Sequence, residues 1–224
     1  MGTAALEVAA LKVDGRLSAE LARPDAADRL LVLAHGAGAD FRHVNMLGIS
    51  EALARQGIAS LRFNFPFMEE GRRRVDAQAT SVACILAAVE TARQAAPDLP
   101  LFLGGHSYGG RMASHAVLEP SAPAVSGLVF CSFPLHPPKK PGVERAAHLP
   151  EIALPMLFLS GTRDAMATPA LMTDLVDSLG GRARLHWLDT ADHGYKVLKR
   201  SRQSEENVFD ELARVAAEFM RSTA

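Results

Sequence analysis

The chain has 224 residues, 48% of them hydrophobic, with 24 Lys and Arg set against 25 Asp and Glu. That length and apolar content suit one sizeable packed core, and the balance of −1 argues against nucleic acid or an anionic membrane surface as partner. The N-terminus has neither a basic leader nor a long apolar core, Leu6 stands where a myristoylation signal needs Ser or Thr, and no uncharged stretch would span a bilayer, so a soluble cytoplasmic protein is expected.

Residues 8–13 and 16–21 flank Asp14-Gly15, a dipeptide suited to a two-residue hairpin turn. From there apolar strands alternate with helical patterns. Residues 30–34 form a continuous apolar run, the mark of a strand buried on both faces. Residues 43–55 carry Val44, Leu47 and Leu53 at helical spacing before Gly57. Residues 58–65 read as a strand stopped by Pro66. A long helix follows over 75–96, with Val82, Ile85, Leu86 and Val89 on one face and Pro97 beyond its end. The next strand, 101–106, runs into Ser107 and a helical pattern over 110–118. Residues 125–132 and 155–160 are two more strands, separated by the proline-rich segment 133–150. Thr168-Pro169 supply an N-cap and N1 pair for another helix, and 183–189 is the last strand. Ser204 with Glu205-Glu206 opens the final helix, whose apolar face is Val208, Leu212, Val215 and Phe219.

This alternation predicts an α/β fold: a three-layer, doubly wound, mostly parallel sheet with an antiparallel hairpin at its N-terminal edge. A single domain over 1–224 with no cap domain is expected. Residues 133–150 are the candidate short lid or binding loop, because they lie between two strands at the sheet's carboxyl end. Cys84 and Cys131 sit within apolar runs, as buried thiols do, and predict neither a disulfide framework nor a metal site. Arg72-Arg73-Arg74 follow Glu69-Glu70 and read as a solvated loop.

Chemistry enters at Gly105-His106-Ser107-Tyr108-Gly109. A strand leads into this G-x-S-x-G stretch and a helix leads out, the layout in which a sharp turn lifts a serine hydroxyl above the sheet's carboxyl edge. The glycines answer to backbone crowding that leaves no room for Cβ atoms. A serine hydroxyl needs a base to take its proton, usually a histidine held by a carboxylate, and both partners should come from loops that follow strands. His43 opens a helix, His115 lies within one, His106 precedes the serine, His186 is within a strand and His148 closes the proline-rich segment. His136, in that same segment, is a weak candidate. His193, in Ala191-Asp192-His193-Gly194, lies between the last strand and the last helix and is the expected base. Asp164, just past the strand 155–160, is the expected carboxylate. Asp192 is the rival, disfavoured because adjacent side chains diverge, and Asp189 is a weaker one. Oxyanion donors are expected from the Tyr108 amide and from the turn His35-Gly36-Ala37-Gly38, where Ala37 is preferred and Gly36 or Gly38 remain open. His35 reads as a residue that braces this loop.

Nucleotide-binding readings fail on their own motifs. Phe41 stands where a G-x-G-x-x-G fingerprint needs glycine, and Gly110-Arg111 replace the Lys and Ser/Thr that would follow a P-loop spaced from Gly104 to Gly109.

Taken together, the HGAG turn, the GHSYG stretch, GTRD and ADHGY resemble the alpha/beta hydrolase superfamily over nearly the whole chain. The stretch from Leu61 to Arg72, LRFNFPFMEEGR, is similar to a branch of small lidless hydrolases that includes testis-expressed and NSL-complex-subunit hydrolase-like proteins and dienelactone-hydrolase-like relatives. The resemblance implies Ser107 as nucleophile, Asp164 as acid and His193 as base. Dienelactone hydrolases proper use a cysteine nucleophile, so their substrate is not carried over. The expected activity is a serine hydrolase acting without metal or organic cofactor on a small acyl substrate, an ester or thioester. The alternative is a non-catalytic binding module or complex subunit on the same fold. Two phenylalanines and Met68 in 65–74 hint at an apolar acyl or leaving group, although apolar residues in such loops more often simply pack.

Overall fold

The computed structural model describes residues 6–223. Its strands are β1 (Leu6–Val13), β2 (Leu17–Pro24), β3 (Arg29–Ala34), β4 (Ile58–Phe63), β5 (Leu101–His106), β6 (Leu128–Cys131), β7 (Met156–Gly161) and β8 (Ala183–Leu188). They form an 8-stranded sheet in the order β1-β2-β4-β3-β5-β6-β7-β8. β1 and β2 pair antiparallel and β2 runs antiparallel to β4, whereas every pairing from β4 to β8 is parallel. The hairpin turns on Asp14 at φ 51° and Gly15 at φ 67°, the pair of positive values that matches the twist of a two-residue turn.

The helices are α1 (Val44–Arg55), α2 (Pro66–Glu69), α3 (Gln78–Ala95), α4 (Tyr108–Ala116), α5 (Pro169–Leu179) and α6 (Val208–Ser222). β3 shows why they form two outer layers. Its successive side chains point to opposite faces, so Leu30, Val32 and Ala34 join a core with Ile85, Met112 and Met172 of α3, α4 and α5. Leu31 and Leu33 join a second core with Ile49 of α1 and Leu212 and Phe219 of α6. None of the described helices is long and apolar enough to cross a membrane.

Several boundaries differ from expectation, and at β4, α3 and α6 a side chain bonding the backbone sets them. The strand expected over 58–65 ends at Phe63, because the Phe65 amide donates to His35 Nε2 at 3.1 Å and Pro66 starts α2. The helix expected from residue 75 begins at Gln78, since Asp76 spends its carboxylate on the Phe67 amide at 2.9 Å and on Arg72 at 2.6 Å. β6 is shorter than 125–132, and Ser132 lies just past it at φ 54°, its amide donating to the Leu159 carbonyl at 2.9 Å. Ser204 does not open the last helix. Asn207 does, accepting from the Phe209 amide at 2.9 Å, and on α6 Val215 is only partly buried while Ala213, Ala216 and Ala217 face the core. Thr168 is the N-cap of α5 as expected, but its hydroxyl bonds His136 Nε2 at 2.9 Å and makes no cap bond.

Segment 133–150 contains two single 3-10 turns, Glu144–Ala146 and Leu149–Glu151. It is pinned from within, because Phe133, Leu135, Ala146 and Leu149 are buried and the Leu135 and His136 amides both donate to the Met166 carbonyl. The Arg72-Arg74 loop is exposed, with Arg72 held by Glu70 and Asp76.

Candidate active site

Ser107 sits between β5 and α4 at φ 52° and ψ −115°, a conformation costing a non-glycine residue about 1–3 kcal/mol. Bonds on both sides hold it there. Its amide donates to the Cys131 carbonyl at 2.9 Å, and its carbonyl accepts from the Arg111 amide at 3.1 Å. The turn is tight enough that a Cβ on Gly105 or Gly109 would run into the Ala34 carbonyl oxygen. The two motif glycines are therefore required by the close approach of β3.

His193 lies in the loop after β8, and Asp164 in the loop after β7. Hydrogen bonds stitch those loops together. The Arg163 amide donates to the Ala191 carbonyl at 2.9 Å, the Thr190 amide donates to Thr162 Oγ1 at 2.8 Å, and Arg163 Nη1 donates to the Thr190 carbonyl at 3.1 Å. Gly161 permits this, since a Cβ there would collide with the Ala191 carbonyl. The result brings three side chains into one line. Asp164 Oδ2 lies 2.8 Å from His193 Nδ1, and His193 Nε2 lies 2.8 Å from Ser107 Oγ. With Nδ1–H donating to the carboxylate, Nε2 remains an acceptor for the Ser107 hydroxyl. Asp164 is 4% exposed and also accepts from the Met166 amide at 2.8 Å, so its orientation is fixed.

Tyr108 is the first residue of α4, and its amide has no partner within the helix. Among the described residues neither that amide nor the Ala37 amide donates to a protein acceptor, and both residues line the cleft beside Ser107. His35 braces the turn that carries Ala37. Its Nδ1 donates to the Gly36 carbonyl at 2.8 Å, Nε2 accepts from Phe65, and burial drops its pKa to about 4. The neutral ring makes both bonds at once. The 61–72 stretch serves the same turn. Buried Arg62 donates to the Phe41 carbonyl at 2.9 Å and to Glu20 at 3.1 Å, while Asn64 Oδ1 accepts from the Phe41 amide at 3.2 Å. Phe65 and Phe67 are fully buried against His35 and Tyr108. Neither lines the two cavities at Ser107, so of the two readings of these phenylalanines it is packing, not substrate contact, that the structure favours.

The remaining candidates are occupied elsewhere. His136 is buried, donating to the Pro137 carbonyl through Nδ1 and accepting at Nε2 from the Thr168 amide. His43 caps α1, His186 bonds Glu211 at 2.8 Å, and His148 bonds Ser114 at 2.7 Å. Asp192 accepts from the Gly194 and Lys196 amides, and Asp189 from the Gln203 amide. His106 has a part that its position in the sequence does not signal. Its Nε2–H donates to the His193 carbonyl at 2.9 Å, and burial, followed by repulsion from His193, drops its pKa to about 4. Burial pushes the Cys84 and Cys131 thiols up to about 12, leaving them protonated at neutral pH. Among the described residues no group of three His, Cys, Asp or Glu is placed to hold a metal ion.

Two cavities meet at Ser107. One, of about 310 Å³, has His193, His43 and Met46 in its wall. The other, of about 260 Å³, is bounded by Tyr108, Val75, Pro134, Arg111 and Arg145. A cavity of about 340 Å³ between 117–125 and 151–154 opens at the amino ends of β6 and β7, away from this chemistry.

The fold is similar to that of a dienelactone hydrolase from Anabaena variabilis, with a TM-score of 0.74 and 20% identity over 98% of each chain. It is also similar to an alpha-beta serine hydrolase homologue from Coxiella burnetii, at a TM-score of 0.70 and 17% identity over 97% of each chain. A serine hydrolase without a lid from Xanthomonas campestris superposes at 0.68, with 19% identity over 96% of this chain and 94% of that one. A family model described as an alpha/beta hydrolase domain matches residues 27–221. By that match the chain belongs to the alpha/beta hydrolase family.

Proposed function

We propose that the protein is a serine hydrolase that cleaves a carboxylic ester or thioester of a small substrate through an acyl-enzyme intermediate. Ser107 Oγ attacks the carbonyl carbon while its proton passes to His193 Nε2, and Asp164 holds the ring and steadies the imidazolium that forms. The carbonyl oxygen, now negative, accepts from the Tyr108 and Ala37 amides. One such donor is typically worth about 3 kcal/mol of transition-state stabilisation. Collapse of the tetrahedral species expels the alcohol or thiol, which takes the proton from His193. Water then repeats the sequence against the acyl-serine, returning Ser107 and releasing the acid. In this reading the chain works as one domain without a cap, and 133–150 closes one side of the cleft.

The observation that carries the reading is His193 bridging Ser107 and Asp164 at hydrogen-bond distance on both of its nitrogens. The test is covalent labelling with a fluorophosphonate probe, together with turnover of p-nitrophenyl acetate. A single adduct that Ser107→Ala abolishes is the expected result. A folded protein that neither labels nor turns over the ester would be a binding module on a hydrolase fold.

A further inference from the structure

The smaller cavity beside Ser107 has an unusual wall. Arg111, one turn into α4, and Arg145, in the 133–150 segment, both border it. Among the described residues no carboxylate lies within 4.0 Å of either guanidinium. Of the other arginines without one, Arg29, Arg93, Arg163 and Arg182 donate to backbone carbonyls, Arg184 donates to Ser222, and Arg73, Arg74 and Arg200 are exposed to solvent. Neither side chain makes a hydrogen bond to protein there, and Arg111 Nε is buried without a partner. Asp76, whose backbone carbonyl Tyr108 Oη touches at 3.5 Å, is already committed to Arg72 and the Phe67 amide. Burial, and then repulsion from Arg145, weakens the hold of Arg111 on its proton, so the two cations act on each other. Beyond them His115 and His148 stack at 3.6 Å and are held below the usual histidine range, chiefly by burial, so at neutral pH these rings are uncharged. Two uncompensated, partly desolvated cations in one cavity are costly unless something negative joins them.

The direction of proton transfer says which part of a substrate meets them. His193 must protonate the leaving oxygen or sulfur, so the leaving group occupies the cavity that has His193 in its wall. The acyl chain is then left with the cavity of Arg111 and Arg145. Resting on the hydrolase reading, we infer that the substrate's acyl part carries a second, anionic group, a carboxylate or a phosphate-like group a few carbons from the scissile carbonyl, which Arg111 and Arg145 bind. Guanidinium donors arranged in forks suit either oxyanion.

The experiment compares monoethyl succinate, glutarate and adipate with the neutral ethyl butyrate, pentanoate and hexanoate, and includes ethyl 3-phosphonopropanoate to separate carboxylate from phosphonate recognition. At least one charged ester should exceed its neutral counterpart in kcat/KM by about tenfold or more, as charge-assisted hydrogen bonds allow. That ratio should fall towards one in the double variant Arg111→Gln/Arg145→Gln and recover in part with lysine at both positions. Arg145→Gln alone, on the loop, guards against misfolding of α4. Equal or better turnover of the neutral esters, or a ratio that survives the double substitution, overturns the inference. Fluorophosphonate labelling run in parallel separates the two claims: labelled Ser107 without a charge preference removes the anion site and leaves the hydrolase. If Ser107 does not label, the anion site is decided by whether glutarate or 3-phosphonopropanoate raises the melting temperature of the wild type and not of the double variant.

Discussion

Acid should unfold this protein through two histidines that never act as bases. His35 and His106 are buried, and burial drops both from 6.5 to about 4. In the unfolded chain each ring takes up a proton near pH 6.5, whereas the folded ring refuses it until about 4, so between those values the unfolded state binds more protons. Stability is therefore complete above about 6.5 and is lost progressively as pH falls towards 4. Taking about 1.4 kcal/mol per pH unit and per ring, the two together remove about 5 kcal/mol between pH 7 and 4.5. That is comparable to the whole stability of many domains, about 5–15 kcal/mol, and amounts to a fall of about 10–20 °C in Tm for a chain of this size. His115 and His148 shift in the same direction and add to the slope. The carboxylates held low by hydrogen bonds, Asp28 and Asp98 to arginines and Glu69 to Asn64 and Ser18 against its burial, contribute only at more acid pH. The assay is thermal unfolding in buffers of constant ionic strength from pH 7 to 4.5. His35→Gln and His106→Gln, whatever they do to Tm at pH 7, should each flatten the slope. A Tm that moves by less than about 3 °C over this range, or an unchanged slope in the double variant, would refute the reasoning.

Three further outcomes follow from the site's geometry. Ser107→Gly should abolish fluorophosphonate labelling yet stabilise the fold by about 1 kcal/mol, visible as a Tm higher by a few degrees, because glycine is at ease where serine is strained. A lower Tm would mean that the serine side chain contributes more to packing than its backbone costs. Asp164→Asn should lower kcat for a neutral ester by about 10⁴, as expected when the histidine loses the partner that fixes its tautomer, and steady-state kinetics within tenfold of wild type would contradict that role. Gly161→Ala should separate the loops that carry Asp164 and His193, lowering kcat at least tenfold while KM changes little; unaltered kcat would show that the loops tolerate the intrusion.

The features legible in the sequence are those set by local periodicity or by a short motif. β3 could be read as doubly buried because its run of Leu and Val has no polar interruption, and Ser107, His193 and Asp164 could be singled out because each follows a strand in a parallel sheet. His35 could be assigned to bracing because it opens a glycine turn. The ends of β4, β6 and α6 were less accessible. At β4 and α6 the end is decided by a side chain bonding a backbone group distant in sequence or at a turn, such as His35 with the Phe65 amide, and hydropathy carries no trace of it.

A second kind of information is absent from any one-dimensional reading, namely whether a charge finds a partner. Arg72 and Arg111 look alike in the sequence, one in a basic run and the other early in a helix. Folding gives Arg72 two carboxylates, Glu70 and Asp76, and gives Arg111 none while bringing Arg145 to the same cavity from more than thirty positions away. The 65–68 stretch shows the converse. Its aromatic residues could be read as meeting substrate or as simply packing, and they are consumed in holding Tyr108 and His35. Apolar residues near a site have many packing uses, so their presence discriminates weakly. An uncompensated cation has few, because leaving it partly buried and unpaired costs free energy in the empty enzyme. The unpaired arginines are therefore the more informative guide to substrate.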